Sequence, residues 1–111
     1  MNVFEKIIKG DLPCKKVLEN EQFLAFYDIA PKAPIHVLAI PKQSFKDFNE
    51  MPKELLAEMS VFILEVVEVL GIKESGYRLI TNIGADGGQE VPHFHYHILG
   101  GGKLNWEKLV K

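Results

Sequence analysis

The sequence has a single cysteine, Cys14. One thiol excludes an intrachain disulfide framework and a cysteine-only metal cage. An excess of one charge is also missing: 13 Lys and Arg stand against 15 Asp and Glu, a net −2. Without a basic block, the chain does not read as a binder of nucleic-acid backbones. Long hydrophobic runs are absent too. The longest apolar stretch, 61–70, is broken by Glu65 and Glu68, so no transmembrane helix is expected. The first residues show no basic region followed by an apolar run and a small-residue cleavage site. With the lone thiol, this gives a cytoplasmic expectation. No repeat, low-complexity tract or linker is visible, so residues 1–111 are expected to form one domain. A domain this small buries roughly 65% of its unfolded surface, and a partner subunit would help it. Histidine is scarce as well: there are four, yet three fall within five residues.

What is present reads as an α+β fold. Phe4, Ile7 and Ile8 share one face of a short helix over residues 3–9, ended by Gly10. Residues 17–19, 23–28 and 35–40 read as strands, with Pro31, Pro34 and Pro41 bounding the last. Residues 52–70 carry apolar side chains at i, i+3, i+4 and predict one long helix, with Pro52 in its first turn and Gly71 after its end. Val61, Leu64 and Val69 widen its stripe beyond one face. Either the helix packs deeply on its own sheet, or it is also buried against a second subunit. Residues 77–82 and 94–99 complete the strands of an antiparallel sheet.

The chemistry is concentrated in Val91-Pro92-His93-Phe94-His95-Tyr96-His97-Ile98-Leu99. On a strand, alternation puts His93, His95 and His97 on one face and Phe94, Tyr96 and Ile98 on the other. Three imidazoles make a poor core face but a good reactive one at neutral pH. Three readings follow: hydrogen-bonded strand histidines, a metal site completed by His36 or Glu90, or phosphoryl-transfer catalysis. No Asp or Glu lies within the run, which weighs against metal. An imidazole can attack phosphorus while its neighbours hold the oxygens, so catalysis is favoured. The glycine-rich segment 82–90 feeds directly into the histidines, and its backbone N–H groups could cradle a phosphate.

The run His93-Phe94-His95-Tyr96-His97-Ile98-Leu99 resembles the signature of the histidine-triad (HIT) family of nucleotide hydrolases and transferases. The likeness extends through Phe4-Glu5-Lys6-Ile7-Ile8, the stretch Leu24 to His36, Asp86-Gly87-Gly88-Gln89 and Gly100-Gly101. Within the family it is most similar to the Hint branch, the histidine-triad nucleotide-binding proteins. The resemblance implies a five-stranded antiparallel sheet with one long and one short helix, continued across a homodimer. It implies hydrolysis of purine nucleoside 5′-phosphoramidates, or of acyl-adenylates, to the nucleoside monophosphate, without metal or cofactor. A dinucleoside polyphosphate hydrolase and a non-catalytic nucleotide-binding protein are the alternatives.

By the same resemblance, His95 is the nucleophile, and His97 and His36 hold phosphate oxygens and assist proton transfer. His93 orients the set. Asp28 takes the ribose hydroxyls, Ile7, Phe26 and Ile29 sandwich the base, and Asn82, Gly88 and Gln89 contact ribose or phosphate. Glu90 joins this nucleotide-binding set at a position where some relatives carry serine, which bears on the leaving group. Some relatives also have a histidine soon after the Pro41-Lys42 pair, and this chain has none. Trp106 is similar to a family tryptophan near the neighbouring subunit's site.

Overall fold

A computed structural model describes residues 1–106 of the chain. Helix α1, Val3–Lys9, starts where Asn2 and Glu5 cap each other: the Asn2 side chain accepts from the Glu5 N–H, and the Glu5 carboxylate from the Asn2 N–H. Gly10 ends it in the left-handed region at φ 86°. Strands β1 (Lys16–Glu19), β2 (Phe23–Tyr27) and β3 (Ile35–Pro41) follow, then helix α2 (Lys53–Leu70), β4 (Arg78–Ile80) and β5 (Tyr96–Gly100). Pro52 is the N-cap of α2, extended at ψ 141°, and so precedes the first turn expected to contain it. All neighbouring strands are antiparallel, in the order β1-β2-β3-β5-β4. Sequence and structure agree on two helices and a five-stranded antiparallel sheet.

Strand alternation sorts the core into two layers. Phe23, Ala25, Val37, Ala39 and Ile98 face α2 and meet Met59, Phe62, Ile63, Val66 and Val67. Leu24, Phe26, Leu38 and Ile40 face the other way, against Phe4 of α1. His97 lies opposite Leu38 on β3 and Ile80 on β4, so it shares that second face. Val61 and Leu64 remain 59% and 57% exposed, so the sheet of the same chain does not use the full width of the α2 stripe. No helix among the described residues is long and apolar enough to cross a membrane.

Strand β5 starts two residues later than the sequence pattern suggests, and β4 spans three residues where six were expected. The backbone of the histidine segment bonds elsewhere. The His93 N–H donates to the Val91 carbonyl, the Phe94 N–H to the Phe45 carbonyl, and the Thr81 hydroxyl to the His95 carbonyl. The alternation of faces survives outside the ladder: Phe94 packs against Phe48 and Tyr96 while His95 packs against Phe4.

Candidate active site

His95 is buried, with its ring edge-on to Phe4 at 5.0 Å between centroids. Its Nδ1 lies 2.7 Å from the carbonyl oxygen of His93. A carbonyl oxygen can only accept, so Nδ1 carries the proton and the Nε2 lone pair is left for attack. The same logic assigns the other rings. The Lys32 N–H donates to His36 Nδ1 at 3.0 Å, so the His36 proton sits on Nε2. That atom lies 2.9 Å from His97 Nδ1 and 3.4 Å from Asp28 Oδ2. His97 therefore accepts at Nδ1 and carries its own proton on Nε2. One lone pair on His95 thus stands beside a donor on His97, their rings 5.0 Å apart.

His93 is different in kind. Its ring is 0% exposed; Nε2–H donates to the Pro41 carbonyl at 2.8 Å, and Asn2 Nδ2 donates to Nδ1 at 3.4 Å. What it offers the site is its backbone carbonyl, the anchor of His95.

Burial is the largest influence on all four imidazoles and holds each below the ordinary histidine pKa. His97 is pushed down to about 4 by burial, then by the neighbouring His95 and His36. For His36 the Asp28 carboxylate partly opposes burial. The rings are therefore neutral at pH 7, as the hydrogen bonds require. The unfolded chain, whose histidines titrate near 6.5, binds more protons than the native one between pH 6.5 and about 4. Stability is thus expected in full above about pH 6.5 and to fall as pH drops toward 4. Denaturant midpoints across this window, in wild type and His97→Gln, check this: the variant should show a shallower fall.

One ligand atom each from Asp28, His36 and His97 lies within 4.8 Å of the others, a spacing that can hold a metal ion. The chemistry of the set opposes it. To ligate through Nε2, His36 would have to move its proton to Nδ1 and give up the Lys32 hydrogen bond. The arrangement suits a shared proton better than a cation.

The glycine-rich loop braces itself. Asn82 Nδ2 donates to the Gly87 carbonyl at 2.8 Å, and Gln89 Oε1 accepts from the Gly84 N–H at 3.0 Å. Gln89 Nε2 donates to the carbonyls of Lys46 and Val91. The N–H groups of Gly88 and Gln89 bond the carbonyls of Ala85 and Gly84. These groups, expected from sequence to meet ribose or phosphate, are engaged in shaping the loop. A side chain at Gly87 would put Cβ 2.3 Å from the Ile83 carbonyl oxygen, so the turn requires glycine. Glu90 is exposed at its end.

The remaining expected residues divide. Phe26 and Ile7 lie together around Phe4, next to His95. Ile29 is 99% exposed and does not close on them. Asp28, expected at the ribose, holds the Ala30 N–H with Oδ1 and turns Oδ2 to His36. Trp106 is exposed, and residues 107–111 lie outside the described residues. Phe4, Asn2, Lys32 and Thr81 were not assigned to the site from sequence. The Asn2-x-x-Glu5 spacing marks a cap but gives no sign of the bond to His93.

The model of the HIT domain family matches residues 9–104. An uncharacterized HIT-like protein of Helicobacter pylori (strain ATCC 700392 / 26695) is 65% identical over 103 residues, covering 93% of this chain and 99% of that protein. The crystal structure of a HIT family hydrolase from Legionella pneumophila Philadelphia 1 is 41% identical with TM-score 0.88, covering 94% of this chain and 96% of that one. A histidine triad nucleotide-binding protein from Candida albicans is 30% identical with TM-score 0.83, covering 98% and 90%.

Proposed function

The chain belongs to the HIT domain family, and from that footing we propose that it is a nucleotide hydrolase cleaving the P–N bond of purine nucleoside 5′-phosphoramidates. The observation that carries the reading is the bond from His95 Nδ1 to the His93 carbonyl, which leaves a neutral, oriented Nε2 lone pair in a buried site. The hydrolase and nucleotide-binding descriptions of the Legionella and Candida proteins point the same way.

In this reading His95 Nε2 attacks phosphorus, the P–N bond breaks, and the amine leaves with the electron pair and a proton. His97 is the donor beside it, and His36 holds His97 in the required tautomer. Water then attacks the nucleotidyl-histidine and returns to His97 Nε2 the proton that went to the amine, which releases the nucleoside monophosphate and restores the His95 lone pair. The Phe4, Phe26 and Ile7 cluster supplies an apolar wall for the base next to the nucleophile. Turnover of adenosine and guanosine phosphoramidates, measured beside diadenosine polyphosphate, tests the proposal. Preferential P–N cleavage is expected. Preference for the polyphosphate would move the chain to the other hydrolase reading, and binding without turnover would leave a nucleotide-binding protein.

The proposal includes a homodimer. β4 is an edge strand, and exposed Leu79 and Tyr77 line one cavity with exposed Leu64 of α2. A two-fold axis at this edge would continue the sheet and cover both apolar groups. A monomeric mass in solution would remove this part of the proposal.

A further inference from the structure

A cavity of about 240 Å³ lies beside β4, at the edge where the dimer is placed; Tyr77, Arg78, Leu99, Gly100 and Lys103 are among its walls. Arg78 is the sole arginine of the chain. The strand register places it. Arg78 lies opposite Leu99 on β5, and Leu99 lies opposite His36 on β3. Opposed residues of antiparallel strands share a face, so Arg78, Leu99 and His36 form one row across the histidine face. Leu79, the next residue, lines a different cavity with Ile63 and Leu64 of α2, as alternation requires. Two strand spacings, about 10 Å, separate the backbones of Arg78 and His36.

The guanidinium has capacity to spare. Among the described residues it makes one hydrogen bond, from Nη1 to the Asn105 carbonyl at 3.3 Å, and no ion pair. A guanidinium has five N–H donors. The strand order also gives the site a direction. The apolar cluster stands on β2 and α1, His36 and His97 are on β3 and β5, and Arg78 is on β4. A nucleotide with its base against Phe26 and its phosphorus at the histidines therefore has Arg78 on the side away from its base.

We propose that Arg78, with Lys103 beside it, is a subsite for an oxyanion carried by the leaving group, a carboxylate or a phosphate. The assignment rests on the phosphoramidase reading. A guanidinium pairs bidentately with either oxyanion, and the lysine adds a second positive charge. Cleavage itself is unchanged: the nucleotidyl group passes to His95, and the amine departs with its oxyanion attached.

Three adenosine 5′-phosphoramidates test this, made from glycine, glycinamide and aminoethyl phosphate. Arg78→Gln is expected to raise KM about tenfold or more for the glycine or the phosphate compound. The change for the neutral glycinamide compound should stay within about twofold. The larger loss identifies the oxyanion, and Arg78→Lys should restore part of it. Equal changes for all three compounds, or no change for any, would overturn the subsite and leave Arg78 as an anchor for the chain near Asn105. If Arg78→Gln does not fold, Arg78→Lys carries the same comparison against wild type. If wild type cleaves none of the three, the phosphoramidase reading fails. Calorimetric binding of the same compounds then decides the subsite: a preference for the charged ones that Arg78→Lys weakens supports it, and no preference overturns it.

Discussion

His95→Ala is expected to lower phosphoramidate turnover by about 10⁴-fold or more, the scale of losing a covalent nucleophile. The expectation follows from one atom. His95 Nε2 is the lone pair left after Nδ1 is fixed on the His93 carbonyl, and alanine has nothing to attack with. Phe4 loses its edge contact with the His95 ring, but Phe4, Phe26 and Ile7 keep their packing on one another, and the His36–His97 bond stays. Nucleoside monophosphate should therefore bind the variant with an affinity within a few fold of wild type. Mass spectrometry after rapid quenching should find a nucleotidyl adduct on wild type and none on the variant. Turnover retained in His95→Ala would remove the covalent route, whatever the binding result.

His93→Ala should act through the fold instead. The ring is fully buried and both nitrogens are bonded, one to the Pro41 carbonyl and one to the Asn2 amide. Truncation leaves two polar groups without their partner and opens a cavity beside Phe4, which packs edge-on against this ring. The combined cost is about 2–4 kcal/mol. In a chain of this length that lowers Tm by about 10 °C or more. Activity should fall too, because the carbonyl that orients His95 belongs to the same residue. Thermal unfolding of the two alanine variants side by side separates their roles. A His93→Ala protein melting with wild type would show that the ring does not hold the segment together.

These two predictions mark where reading the sequence stops. Alternation along 93–97 is enough to place three imidazoles on one side and Phe94 and Tyr96 on the other. It holds even though β5 begins only at Tyr96, because an extended backbone alternates with or without a ladder partner. Periodicity likewise found α1 and α2, since caps and apolar spacing act within a few residues. The same pattern treats His93, His95 and His97 alike, although one is a sealed positioning group and another carries the site's unengaged lone pair. The glycine-rich loop shows the opposite limit. Its composition suggests a phosphate cradle, but the polar groups of Asn82, Gly88 and Gln89 bond the loop's own backbone and the Lys46 carbonyl.

The sequence by itself determined the α+β class, the two helices and the crowding of chemistry into one short segment, because each of these arises between near neighbours. Only the tertiary structure decided which nitrogen carries which proton. Those assignments depend on Asn2 meeting His93, 91 positions away, and on His36 meeting His97, 61 positions away. It also decided that Arg78 shares a row with His36, because cross-strand register sets that alignment. No local spacing encodes such partners; the sheet brings them together when it closes over its two cores.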